Sequence, residues 1–418
     1  MTRSERSSFS HTRKLENIER HVAAAQSADA IFHTGRGSNG RYLSLDQGAF
    51  LNFGSCSYLA LEQLPALTDQ ARRALDQYGT QFHFSRAYVQ CPLYQELEAL
   101  LEQIAGRPVV VASSTSLAHL AALPVLVRDS DRIIIDQFAH ASLHTAVQLV
   151  PNVPLTTLRH NRMDQLDTQL SRLRDHRGLV WYVADGLYSM LGDFAAFEEL
   201  KQLLDKYDNL RLYIDDAHAT SWIGRHGRGL ALEHFATDER VVVALSLNKA
   251  FSAAGGALAV PDRELANRIR RCGGPMMFSG PIQPPMLGAA VGSARLHVSP
   301  ELARLQSELD ARLDACVASI ADRKLERTTT DRSPIFQVQC DSPRVALRVF
   351  DLMKQRGYFC CVCLFPAVPM NRPGLRFTIT RHNHPDDIAP FLDALEESMF
   401  DAKREAVVAE HSAPALNS

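Results

Sequence analysis

One lysine, two histidines and two aspartates stand where a chain of this pattern would place chemistry. Lys249 lies in S-L-N-K-A-F-S-A-A-G-G, directly after the apolar run Val241–Leu245. Such a run reads as a buried strand, and open α/β sheets gather ligands at the carboxyl ends of their strands. An amine held there out of water has its pKa drawn down, which favours the neutral nucleophile that condenses with an aldehyde. A solvated loop lysine is the bland alternative. Asp215 ends R-L-Y-I-D and begins D-D-A-H-A-T. A carboxylate in that place can keep a heteroaromatic nitrogen protonated, so that the ring accepts electron density from a breaking bond. Ion pairing in the crevice would lower the pKa of Asp215, and His218, three residues on, could hydrogen-bond a ring oxygen. A helix cap for Asp215 and a structural His218 compete with these readings.

The polar run V-A-S-S-T-S-L-A-H, Val111 to His119, joins a strand ending at Ala112 to a helix starting near Leu117. A helix N-terminus with small neighbours binds phosphate. The N–H groups of Thr115 and Ser116, with the hydroxyls of Ser114 or Ser116, could form such a cradle, while plain N-capping explains the same residues. His140, in D-Q-F-A-H-A-S, follows the strand end at Asp136, so its imidazole could lie flat on an aromatic ligand or move a proton. Asp185, in A-D-G-L-Y-S-M-L-G-D, again follows a strand, with Ser189 four residues later; a turn-forming Asp-Gly is the competing account. Coincidence decides among these. Five strand ends in chain order offer a phosphate-type loop, a histidine, an acid, an Asp-x-x-His and a lysine, all meeting at one sheet edge. That set suits pyridoxal 5'-phosphate, with its phosphate, ring nitrogen, ring oxygen and aldehyde.

The elements that must position these residues are legible as alternating periodicities. Strands are predicted at Val109–Ala112, Arg132–Asp136, Leu155–Leu158, Leu179–Ala184, Leu210–Ile214, Val241–Leu245 and Gly256–Val260. Several are apolar on both faces, as buried parallel strands are, and helical segments such as Phe197 to Tyr207 alternate with them. The fold class is therefore α/β, with a mostly parallel central sheet. The Leu/Ala-rich stretch from Pro285 to Ala321 predicts one long helix leading away from the core. Beyond it, Ile335–Val338, Arg344–Lys354, Tyr358–Leu364, Leu375–Ile379 and Asp386–Met399 read strand, helix, strand, strand, helix. The expected division is an N-terminal arm over 1–49, a large domain over 50–284, a linking helix over 285–321, a small α+β domain over 322–402 and a frayed tail over 403–418.

Composition narrows the function classes. The 418 residues carry 45 Lys plus Arg against 47 Asp plus Glu, a net charge of -2, so nothing draws the molecule toward nucleic acid or an anionic membrane. Small-molecule chemistry is the default. The basic segment Met1 to His21 lacks an apolar core and does not read as a secretory signal. No apolar run approaches the roughly 20 residues of a membrane helix. None of the 8 cysteines sits at zinc spacing, and the Cys360–Cys363 pair falls in a predicted strand whose alternate side chains face opposite ways. All are expected as reduced thiols in a cytoplasm, with no metal site.

These motifs resemble those of the α-oxoamine synthase family of fold-type I pyridoxal phosphate enzymes, over about Phe50 to Met399. D-D-A-H-A-T-S-W-I-G-R-H-G-R-G at Asp215 to Gly229 is similar to the family's D-D-A-H-G-x-G-x-x-G-x-x-G-R-G, and S-L-N-K-A-F at Ser246 to Phe251 to its T-x-x-K-A-F. A-D-G-L-Y-S-M-L-G-D resembles E-G-x-F-S-M-D-G-D, and H-A-S at His140 matches the stacking histidine. F-S-G-P-I-Q-P-P at Phe278 resembles a segment whose hydroxyls reach the phosphate of the neighbouring subunit's cofactor, which implies Ser279 and Gly280 as contacts across a homodimer with shared active sites.

The resemblance implies Lys249 as the Schiff-base lysine, Asp215 as the partner of the ring nitrogen, His218 and Ser189 as contacts to the ring oxygen and Ser246 as a phosphate ligand. Arg376, in P-G-L-R-F-T-I-T, falls where the family arginine clamps a substrate carboxylate, a role suited to its planar fork. The reaction implied is condensation of a small L-amino acid with an acyl thioester, on coenzyme A or a carrier protein, usually with decarboxylation, to a 2-amino ketone. Three departures bear on the second substrate. S-C-S-Y-L-A-L puts Cys56 in place of a substrate-binding asparagine, Gln81–Phe84 replaces a glycine-rich stretch, and Tyr94 replaces a histidine, so bulky side chains are expected to reshape that pocket. Aminotransfer, an aldol or Mannich-type bond formation, and a non-catalytic scaffold subunit stand as alternatives.

Overall fold

A computed structural model describes residues 3–323 and 325–412. The chain forms two compact units. The larger comprises Cys56–Ser189 and Asp193–Leu309; the smaller joins the N-terminal residues through Ser55, Met190–Gly192 and the chain from Asp310 onward. In chain order the strands are β1 (Gly35–Ser38), β2 (Tyr42–Leu45), β3 (Gly48–Asn52), β4 (Val109–Ala112), β5 (Arg132–Asp136), β6 (Leu155–Leu158), β7 (Val180–Asp185), β8 (Leu210–Asp215), β9 (Val241–Ser246), β10 (Gly256–Ala259), β11 (Ile335–Gln339), β12 (Tyr358–Phe359), β13 (Cys361–Cys363) and β14 (Gly374–Thr378).

The larger unit is built on a seven-stranded sheet of order β4-β10-β9-β8-β7-β5-β6. β5 through β9 pair in parallel, and β10 runs antiparallel to both its neighbours. All seven strands lie within one residue of where the apolar runs place them. The physical reason is burial on both faces. Alternate side chains enter two separate cores: Val109, Tyr182, Leu212, Ile214, Val243 and Leu245 on one side, Val110, Ile135, Val183, Tyr213, Val242 and Ala244 on the other. Helix Thr115–Leu126 covers the second face through Ala118, Ala121, Ala122 and Leu123.

The smaller unit holds a four-stranded sheet of order β1-β2-β3-β12 and a three-stranded sheet of order β11-β14-β13. Its core includes Phe53 stacked on Phe391 at 3.9 Å and Phe336 on Phe377 at 5.0 Å. Several sequence expectations are corrected here. The 35–49 stretch, read as part of an arm, forms β1, β2 and the start of β3, whose small and polar residues carry little hydrophobic alternation. The stretch read as one strand over Tyr358–Leu364 breaks at Cys360, β12 pairing with β3 and β13 with β14. The Pro285–Ala321 stretch forms two helices, Pro284–His297 and Glu301–Ala321, because Ser299-Pro300 ends the first: a proline disfavours helical backbone in the residue before it. The last helix runs Pro385–Ser412, beyond the expected frayed start of the tail; residues 413–418 lie outside the described residues. No described helix is long and apolar enough to cross a membrane. The eight cysteines are free thiols, Cys360 and Cys363 both buried.

Candidate active site

A pocket of about 170 Å³ opens at the carboxyl edge of the large sheet, lined by Ser114–Ser116, His140, Ser142, Asp185, Leu187, Asp215, Ala217, His218, Ser246, Asn248 and Lys249. Nine residues singled out from the sequence thus meet in one place: Ser114, Thr115, Ser116, His140, Asp185, Asp215, His218, Ser246 and Lys249. Strand parity explains the meeting. Asp185 and Asp215 are paired residues at the ends of β7 and β8, Ser246 ends β9, and the lysine follows it.

Each side chain is held by local geometry. Helix Thr115–Leu126 is N-capped by Ser114, whose hydroxyl accepts the Leu117 N–H at 3.1 Å. The N–H groups of Thr115 and Ser116 precede the first intrahelical bonds and form the positive end of the helix dipole. Gly256 makes that close packing possible, because a Cβ there would strike Thr115 N and Cα. The lysine loop is tied at its base: Asn248 Oδ1 accepts the Gly255 N–H at 2.7 Å, and Leu247 N donates to Gly255 O at 3.1 Å.

His140 begins helix Ala141–Gln148, and its backbone N–H donates to Asp185 Oδ1 at 2.9 Å. Its Nδ1 lies 2.6 Å from the Ser142 hydroxyl and accepts the Ser142 N–H at 3.3 Å. One edge of the residue is exposed, yet partial burial and the nearby Lys249 lower its pKa from the ordinary imidazole value, with Asp215 opposing. The ring therefore favours its neutral form. His218 is held from the far side by Tyr58, whose hydroxyl lies 2.8 Å from Nδ1.

The two aspartates diverge in charge. Burial alone would raise Asp215, but His119, Lys249 and His140 hold it down to about 2. Asp185 is pushed well above the carboxylate range by burial and by the charge of Asp215. Neighbouring acids separated in this way can take different roles. The next residue, Asp216, faces away from the pocket; its Oδ2 accepts the Ala231 N–H at 2.9 Å, and burial raises it to about 7. Gly186 and Gly229 pack against its carboxylate with no room for a Cβ.

Other expected site residues lie elsewhere. Ser189 and Cys56 do not line this pocket. The Ser279 hydroxyl donates to Pro275 O at 2.5 Å, and Gly280 O accepts from Ser113 at 2.5 Å. Arg376 belongs to the smaller unit, buried in β14 opposite Gln337 and Cys361. Tyr94 is buried in the core, Arg86 lies over its ring at 3.7 Å, and its oxygen accepts the Ile282 N–H at 2.7 Å. A separate groove of about 370 Å³ in the smaller unit is lined by Arg344, Arg348, Asp351 and Glu405, but Arg348 is already paired to both acids. Sequence reasoning missed His119 and Tyr58. His119 was the last residue of the phosphate-type run, one helical turn past Thr115, and only that spacing could have marked it.

Comparison with known proteins agrees with the geometry. The model of aminotransferase class I and II matches residues 49–395. The chain belongs to that family. Among relatives, the 8-amino-7-oxononanoate synthase of Thermoanaerobacter pseudethanolicus is 27% identical over 84% of this chain and 88% of its own. The serine palmitoyltransferase of Sphingobacterium spiritivorum is 27% identical over 87% of this chain and 90% of its own. The solved Sphingomonas wittichii serine palmitoyltransferase superposes with a TM-score of 0.85 at 21% identity, covering 93% of this chain and 98% of that one. The fold is that of the fold-type I transferases, the chain is an α-oxoamine synthase-like enzyme, and its cofactor is pyridoxal 5'-phosphate.

Proposed function

We propose that this enzyme condenses a small L-amino acid with an acyl thioester, on coenzyme A or a carrier protein, releasing the free thiol and carbon dioxide, to give a 2-amino ketone. The observation that carries the reading is the convergence of Lys249, the low-pKa Asp215, His140, His218 and a helix N-terminus on one pocket. That donor set fits pyridoxal phosphate. Thr115, Ser116 and Ser246 would hold the phosphate, Asp215 the ring nitrogen, His218 the ring oxygen and His140 the ring face. Ser189 is assigned to the ring oxygen by resemblance alone, as are Ser279 and Gly280 to the partner's phosphate, Arg376 to the amino-acid carboxylate and Cys56 to the substrate. When bound, pyridoxal phosphate supplies an electron sink for the bond broken at the substrate's Cα.

The residues of the chain do the rest. Lys249 Nζ would hold the aldehyde and, once the substrate's amino group had displaced it, would be free to take the Cα proton, while the His140 ring would cover one face and Asp215 would meet the ring nitrogen as a carboxylate. A homodimer that completes each site and a cytoplasmic location accompany this reading. Aminotransfer, or carbon–carbon bond formation on a non-thioester electrophile, is the second reading. It is favoured by Gln81–Phe84, where His83 and Phe84 face solvent in place of the glycine-rich stretch of the resembled family.

The visible absorption spectrum of the purified protein tests this, with each common amino acid and an acyl-CoA, beside Lys249→Ala. A bound-cofactor band lost in the variant and perturbed by one amino acid, followed by thioester-dependent carbon dioxide release, is expected. Amino-group transfer to a keto acid without thioester consumption would move the assignment to the second reading. No band after reconstitution would leave a scaffold subunit.

A further inference from the structure

Asp215 is not left to face its ligand alone. His119 Nε2 lies 2.9 Å from Asp215 Oδ2, and His119 Nδ1 lies 2.9 Å from the Tyr213 hydroxyl. His119 and Tyr213 are inaccessible to solvent. The fold dictates this arrangement. Tyr213 and Asp215 are two residues apart on β8, so both point to the face covered by helix Thr115–Leu126. Thr115 and His119 are one turn apart on that helix, so the turn that presents the phosphate-type N–H groups also delivers the imidazole.

We propose that His119 is a positioning residue for the reaction: the Tyr213 O–H donates to Nδ1, which fixes the tautomer that donates Nε2–H to Asp215. The inference rests on the assignment of Asp215 to the ring nitrogen. Asp215 Oδ1 is engaged separately by the Ala217 N–H at 3.0 Å, so the carboxylate is gripped at both oxygens. An imidazole suits the place: its rigid ring reaches the carboxylate through one nitrogen while the Tyr213 phenol holds the other. The other titratable groups facing Asp215 are His140, Lys249 and the neighbouring acid Asp185. Asp185 opposes the charge on Asp215, so the hydrogen bond from His119 also decides which of the two acids carries it.

The probe is pyridoxal 5'-phosphate itself, added to cofactor-free wild type, His119→Phe, His119→Gln and Tyr213→Phe, reading affinity and the pH midpoint of the bound-cofactor band. His119→Phe is expected to weaken binding roughly 10- to 100-fold, the loss typical when the group orienting a ligand-contacting residue is removed. Its band midpoint should shift by about one pH unit, and His119→Gln, whose amide reaches the same point, should restore both in large part. Folded His119→Phe with wild-type affinity and midpoint would overturn the proposal. If that variant does not fold, Tyr213→Phe decides: a shifted midpoint supports the relay, and an unchanged one overturns it. Wild type that binds no pyridoxal phosphate would instead sink the assignment of Asp215, and the relay with it.

Discussion

Two histidines, His119 buried and His160 half-buried, contact strand-end aspartates in the larger unit, and they are used in opposite ways. His119 contacts one carboxylate and one phenol, leaving Asp215 ionised at the pocket. His160 sits between two carboxylates, 3.0 Å from Asp136 Oδ1 and 2.6 Å from Asp193 Oδ2. Asp136 is further occupied by the N–H groups of Phe138 and Asn161, at 2.7 and 2.8 Å. Burial alone would lower His160, but its two acids raise it to about 9, so the ring is an imidazolium locked in place. The second cluster ties the loop after β6 to the turn after β7 and lies outside the pocket. A strand-end aspartate is thus chemically available when its histidine has an uncharged partner behind it, and structural when the histidine is shared with another acid.

The largest effect that would sharpen the contrast is on activity. Asp215→Asn should fold but lose about 10³-fold in kcat, within the range a positioned charged group contributes, whereas Asp136→Asn should change kcat little in whatever protein folds. Steady-state kinetics on both variants separates the two aspartates. Next comes stability. His160→Ala leaves the buried Asp136 and the half-buried Asp193 without their counter-charge and should cost about 3 kcal/mol in denaturant unfolding.

The pH dependence gives a third check. The folded pKa of His160 lies above the unfolded value, so its contribution is complete below about pH 6.5 and is lost as pH rises through about 9. The gap in stability between wild type and His160→Asn should therefore narrow by about 3 kcal/mol across that window, as read by thermal melts. A constant gap would mean that the ring is not the titrating group. The smallest effect concerns the residue expected in a substrate pocket. Tyr94→Phe removes one acceptor for the Ile282 N–H and should cost about 1 kcal/mol with unchanged KM for either substrate. A change in KM for the thioester alone would restore Tyr94 to the pocket.

The chain's own pattern was enough for the sheet and for most of the pocket. Parallel strands buried on both faces are continuous apolar runs, and the residues at their carboxyl ends converge by topology alone. Lys249, Asp215, His140 and the Ser114–Ser116 run were therefore legible before any coordinates. β1–β3 were not, because their residues alternate weakly and are ordered by pairing with one another and, for β3, with β12 hundreds of residues away. The burial of Tyr94 was equally hidden, since it depends on a backbone N–H at Ile282.

His119 marks the boundary between the two kinds of information. Its distance from Thr115 is local and written in the sequence, but the choice of Asp215 as its partner depends on which face of β8 the helix covers. Only packing decides that face. Residue order sets which side chains share a strand end or a helix turn. The match between one element's turn and another's face is made by long-range burial, and on that match the charge of Asp215 depends.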